Sequence, residues 1–246
     1  NFGKLSIQYD FQRNNRLEFD IRRGDDKNKA ASDLQLDTHT VLLDLESHLT
    51  DAITLKSGIM TRYQKNVANP NTGVRRLIPD YQMYDFGMYF VVDYQWNEQL
   101  LLEAGARYDH SYLNVFKFYR TSFWESRNYD QTFSGIVVEE LENQILTNPQ
   151  LNFNNGSATL GANYTFGEDY KLFFNYSIAS RAPNSSELFS EGLHHSASRI
   201  ELGDLSFNSE IAHKVGINVK FFLVHGYPGE NAQTTLETQK ILGKVA

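Results

Sequence analysis

The chain has 246 residues, no cysteine and a formal net charge of −7. This excludes a disulfide framework and thiolate metal sites, and no basic surface marks a nucleic-acid partner. No apolar run reaches the roughly 18 residues of a transmembrane helix, a test that transmembrane strands escape because only alternate residues meet lipid.

Aromatic residues make up 13% of the chain, with 14 Tyr and 17 Phe, a composition that favours β structure. No signal peptide opens the chain: Asn1–Lys4 lead straight into a strand pattern. Leu5, Ile7, Tyr9 and Phe11 alternate with polar residues, and Leu17, Phe19 and Ile21 do so again after a short turn at 12–15. A charged connection spans 23–33, a short one 47–50 and a long one 62–83. Phe86, Met88, Phe90, Val92, Tyr94 and Trp96 share one face of the next strand. After a tight turn at Asn97-Glu98, Leu100, Leu102, Ala104, Ala106 and Tyr108 share a face, with Glu103, Arg107 and Asp109 opposite. A very long connection at 110–155 precedes Ala158, Leu160, Ala162, Tyr164 and Phe166. A tight turn at 167–169, a strand, a long loop at 180–207 and a strand built on Ile211, Val215, Ile217, Val219 and Phe221 complete the pattern.

Short and long connections alternate, as in an antiparallel up-and-down transmembrane β-barrel with tight turns at one rim and long loops at the other. About nine strands of roughly 7–14 residues bracket the length that crosses a bilayer at a tilt. Tyr94 with Trp96, and Phe166 with Tyr170, flank tight turns where an interfacial girdle would lie. Residues 1–222 read as a partial barrel and 223–246 as an atypical tail, truncated or disordered, since alternation does not return after Phe222 and no aromatic closes the chain.

The segment 171–222 carries the clearest motifs: Ser180-Arg181-Ala182-Pro183, Glu187-Leu188-Phe189 and Gly203-Asp204, between two alternating strands. It closely resembles a segment of the TonB-dependent receptors, in which an aromatic-rich strand leads into a "RAP…ELF" loop and a "G(N/D)…L.PE" turn; Ser209 stands here where the family has Pro. Residues 84–109 and 156–176 resemble hairpins of the same family, so the likeness covers 84–222. It implies a ligand-gated uptake receptor in the outer membrane of a Gram-negative bacterium, importing an iron complex (siderophore or haem) or a related metal ligand. The implied partners are outer-membrane lipid, the metal ligand and the TonB complex acting through a plug domain; no intrinsic cofactor is implied. The family's barrel has about 22 strands, too wide for about nine to close, and no plug motif or TonB-contacting box is visible, so the chain reads as part of a larger barrel. Two rivals remain: a small porin-like or adhesive outer-membrane barrel, and a soluble all-β binding module.

Site candidates lie in the long loops. His194 and His195, with Glu187 and Glu191 nearby, offer ligands suited to zinc, copper or iron; the competing reading is a pair of solvated histidines. Arg181 reads either as a contact for an anionic ligand or as the partner of wall carboxylates such as Glu103 or Asp109. Trp124, Arg127 and Tyr129 combine aromatic and basic character fit to grip an anionic siderophore or a haem propionate, or else belong to a strand that continues above the membrane. No G-x-S-x-G, H-E-x-x-H or G-x-x-x-x-G-K-[ST] pattern occurs, and no enzyme is expected.

Overall fold

The computed structural model describes residues 3–19, 28–72, 76–166, 170–194 and 199–221. Its elements in chain order are β1 (Lys4–Glu18), β2 (Ser32–Thr50), β3 (Ile53–Ala68), β4 (Asp80–Gln95), β5 (Leu100–Arg120), α1 (Thr121–Ser126), α2 (Tyr129–Thr132), β6 (Val137–Glu140), β7 (Gln144–Thr147), β8 (Gln150–Phe166), β9 (Tyr170–Arg181), α3 (Ser185–Phe189), β10 (Glu191–His194), β11 (Arg199–Leu202) and β12 (Glu210–Phe221). The long strands form one antiparallel meander in the order β1-β2-β3-β4-β5-β8-β9-β12, with β6 and β7 attached beside the upper end of β5. Among the described residues the main path therefore runs through eight strands, and β1 and β12 are the two edges of an open sheet, as in part of a larger barrel.

The expected break at 12–15 is absent, because β1 is continuous through Glu18 and pairs with β2 along its whole length. Those polar residues lie one step above Phe11, where the strand passes from apolar to aqueous surroundings, and Arg13 binds Asp37 on β2 at 2.7 Å. Merging the two short strands accounts for the difference between about nine expected strands and the observed path. The other boundaries move the same way: β3 and β4 run well into the loop expected at 62–83, and β5 and β8 into that at 110–155. The first tight turn sits at Asp51-Ala52 rather than 47–50.

Directly opposed residues of an antiparallel ladder share a face, so the register defines two surfaces. One row runs Ile7, Leu43, Ile59, Met88, Tyr108; this face is apolar and its Leu, Ile and Phe side chains stand exposed. The opposite face carries Asp44, Lys56, Arg62, Asp85, Tyr89, Arg107, Asp109 and Asn175, joined across strands: Lys56 to Asp93 at 2.7 Å, Arg62 to Asp85 at 2.7 Å, and the Tyr89 hydroxyl to Asp44 at 2.7 Å. A soluble sandwich would bury the apolar face and expose the polar one.

On the apolar face an aromatic row crosses five strands near the long-loop end: Phe11, His39, Tyr63, Tyr84 and Tyr112, with successive ring centroids 4.8, 6.2, 4.9 and 6.2 Å apart. At the other end Tyr94 packs edge-on to Trp96 at 5.7 Å, and Phe166 stacks on Tyr164 and Tyr170. On β4 the span from Tyr84 to Tyr94 is about 34 Å along the strand; a tilt near 45° reduces it to about 24 Å, the height of an outer-membrane apolar band. The fully buried residues lie elsewhere, on the polar face at the long-loop end: Leu113, Val115 and Tyr119 of β5 with Trp124, Tyr129, Ile145, Leu188, Phe189 and Leu205.

Candidate functional site

β9 ends at Arg181, directly opposite Glu210 of β12. Arg181 donates from Nε to Glu210 at 2.5 Å and, through its two terminal nitrogens, to both oxygens of Glu187 at 2.9 Å. Asn184 caps α3: its side chain accepts from the amides of Ser186 and Glu187 at 2.9 Å, and its own amide donates to Glu187 at 2.8 Å. This is a reciprocal capping box. The Arg181 hydrogen bonds, helped by the Asn184 amide, hold the Glu187 carboxyl down at about 2. The Pro183 ring bars a continuing strand, the cap starts a short helix, and Leu188 and Phe189 turn inward to 1% exposure.

Gly203 then passes against the back of α3, its amide donating to Ser190 O at 2.6 Å. A Cβ there would stand 2.6 Å from Leu188 C and Phe189 N, so the close approach requires glycine. Asp204 is a hub: its amide donates to Glu187 O at 2.9 Å, and its carboxylate accepts from the Ser206 amide and hydroxyl, the Tyr129 hydroxyl at 2.9 Å and Arg127 at 3.1 Å. Partial burial raises the Asp204 carboxyl, but these donors and the Arg127 charge outweigh it and keep it below its ordinary value. The Tyr129 hydroxyl also accepts from the Leu205 amide at 3.0 Å. Burial, aided by the bond to Asp204, pushes that phenol up to about 12, so it stays a donor at physiological pH. Beneath, Lys117 of β5 donates to Phe189 O at 2.6 Å and pairs with Glu191 at 3.3 Å, both side chains 4% exposed. Removing one partner of so buried a pair typically costs about 3–5 kcal/mol. The β5–β8 and β9–β12 connections are thus one module sharing a core.

Below this module, on the polar face, lies a cavity of about 440 Å³ lined by Arg62, Asp85, Arg107, Asp109, Ser180 and Arg181 among others. Its charges are already matched: Arg62 to Asp85, Arg107 to Asp109 at 2.5 Å, and Arg181 to Glu187 and Glu210. Ser111 donates to Asp85 at 2.5 Å, and Asn155 and Ser180 add polar groups to the wall. The cavity suits a polar ligand that exchanges hydrogen bonds with paired charges better than one needing a large uncompensated charge.

The sequence candidates separate on this geometry. Arg181 and Glu187 meet each other at the cavity mouth, and the carboxylates that hold Arg181 are Glu187 and Glu210, not Glu103 or Asp109. Glu191 is buried and paired with Lys117. Trp124 and Tyr129 are interior at 1% and 4% exposure, so their rings pack the module and leave no surface for an incoming ligand; Arg127 stacks over Phe123 at 5.4 Å and binds Asp204. His194 ends β10 opposite Arg199, while His195 and residues 223–246 fall outside the described residues. Among the described residues no group of three or more His, Asp or Glu is placed to hold a metal ion. Lys117 and Asp204 were the residues missed as structural anchors. The position of Lys117 among Phe116, Phe118 and Tyr119 was the available signal, since a lysine at an inward position of an aromatic strand needs a partner.

A family model described as "TonB dependent receptor-like, beta-barrel" matches residues 1–236. No curated protein sequence matches. Among solved structures, the copper transporter OprC aligns over 91% of this chain and 34% of its own, at 12% identity and a TM-score of 0.57. The FrpB iron transporter from Neisseria meningitidis aligns over 90% and 32%, at 14% identity and 0.57. A double mutant of the Serratia marcescens hemophore receptor HasR, solved with its hemophore HasA and heme, aligns over 78% and 31%, at 15% identity and 0.53. The chain thus spans about a third of the length of each, and at these identities the likeness is one of fold.

Proposed function

The chain belongs to the TonB-dependent receptor-like β-barrel family, and from that premise we propose that it forms barrel wall and extracellular loops of an outer-membrane receptor. That receptor takes up a metal complex, an iron siderophore, haem or a related chelate, with energy supplied through TonB. The observation that carries this reading is the family match across a sheet whose apolar face has the height of a bilayer and whose polar face holds a cavity beneath an anchored loop module. The named neighbours, a copper transporter, an iron transporter and a hemophore receptor, agree with a metal-containing cargo. Arg181 at the cavity mouth and the His194–His195 segment are the ligand-contacting candidates in this reading; Trp124 and Tyr129 support the loop module.

The test is uptake of radiolabelled haem, ferric siderophores and chelated copper by cells that carry the encoding gene, with TonB present or deleted. TonB-dependent accumulation of one of these supports the proposal. Accumulation no greater than in cells lacking the gene, or equal with and without TonB, overturns it.

A further inference from the structure

Above the bilayer the β5–β8 connection builds a small sheet of its own. β7 lies against residues 117–120 of β5, the nearest of them five residues past Tyr112 of the aromatic row. At a tilt near 45° those residues are about 12–19 Å above that row, so β7 and its neighbour β6 stand in water. β6 pairs with β7 alone, and among the described residues no backbone bond reaches its other side. Such an edge offers free amides and carbonyls to another strand. Val138 and Leu141, in and just after β6, are 58% and 45% exposed.

Charge says what kind of strand fits. The connection 121–149 carries five carboxylates, Glu125, Asp130, Glu139, Glu140 and Glu142, against one cation, Arg127. Arg127 is already bound to Asp204, and none of the five carboxylates has an ion-pair partner among the described residues. Glu139, Glu140 and Glu142 are exposed and crowd the β6 edge, well within a Debye length of about 8 Å of one another at physiological salt. A second copy of the same edge would meet these charges with its own, and an apolar strand would leave them unmatched. No group of three is placed to hold a metal ion among the described residues. A basic strand answers each feature: it bonds the free backbone, sets cations opposite carboxylates and lays apolar side chains on Val138 and Leu141. The edge is only four residues long, with a register shift between Val137 and Glu139. Backbone bonds are therefore few, and charge supplies much of the selectivity.

We propose that the β6 edge is a docking site for an extended, basic segment of a partner polypeptide, which adds to the β5–β7–β6 sheet as its next strand. The proposal goes beyond the uptake reading and takes from it only the outward placement of the long loops.

The receptor that contains this chain, solubilised in non-ionic detergent, is titrated with a fluorescent alternating lysine–valine heptapeptide, and binding is read by anisotropy. One comparison probe is the same peptide N-methylated along its backbone, which keeps the charge and removes the strand's donors. The other is a glutamate–valine heptapeptide. The expected result is binding of the lysine peptide and none of the glutamate peptide, with N-methylation weakening binding about fivefold or more. Glu139→Lys combined with Glu140→Lys is expected to weaken it about tenfold or more. Equal binding of the methylated and unmethylated peptides overturns the proposal, because charge alone would then suffice. Unchanged affinity in the double variant overturns it too, by placing the peptide elsewhere. The peptide comparison uses the unaltered receptor and stands even where the variant folds poorly. Binding by the solubilised receptor, with no labelling of intact cells, supports the docking site and overturns the outward placement instead.

Discussion

Gly203 shows how much one atom decides in the loop module. Its backbone rests against the turn at Leu188 and Phe189, so a methyl group would meet main-chain atoms rather than a movable side chain. Overpacking of this kind typically costs about 1–3 kcal/mol. Gly203→Ala is therefore expected to speed amide exchange at Asp204, which donates to Glu187 O, by roughly ten- to a hundredfold. The β3–β4 ladder should keep its protection. Unchanged exchange at Asp204 would show that the segment is not held against α3. The same contact accounts for Asp204, which satisfies four donors from the two loops at once and would leave each of them searching for another acceptor if truncated.

Along a strand, successive side chains answer to different solvents. Ile59 stands on the apolar face, 42% exposed, opposite Met88; Met60, the next residue, lines the polar cavity. Near the bilayer midplane a charged residue on the lipid side costs about 2–4 kcal/mol, whereas on the lumen side it can be hydrated or paired. Ile59→Arg is thus expected to destabilise the vesicle-inserted receptor by about that amount and Met60→Arg by much less, measured by denaturant unfolding. Equal losses for the two would contradict the assignment of faces. The upper aromatic row escaped the sequence reading for a related reason. Its members are spread over five strands, and only the register brings Phe11, His39, Tyr63, Tyr84 and Tyr112 side by side.

For the molecule as a whole, the open sheet is the dominant fact. β1 and β12 present edge strands among the described residues, and an unpaired edge in hydrocarbon leaves each backbone donor and acceptor unsatisfied. The chain expressed alone and refolded in detergent is expected to associate through these edges and to give broad, high-mass species in size-exclusion chromatography. A sharp monomer whose gel mobility shifts on heating would mean that the edges close on each other, and would favour a small complete barrel over a portion of a large one.

The amino-acid sequence by itself determined the class of fold, the parity of the connections and the membrane-facing side of the sheet, because period-two alternation and turn chemistry are local properties written into neighbouring residues. Its motifs also marked the loop in which Arg181, Glu187, Gly203 and Asp204 meet. Strand ends were less legible: the polar stretch 12–15 looks like a loop when it is part of a strand leaving the bilayer, since hydropathy reports solvent rather than backbone geometry. Only the tertiary structure decided which candidates line the cavity and which are buried. Trp124 and Tyr129 have the composition of a binding surface, yet they are buried because two distant connections fold against each other. Glu191 resembles a metal ligand until Lys117, 74 positions earlier in the chain, is found beside it. Contacts across such separations depend on strand order and register, which no local pattern encodes.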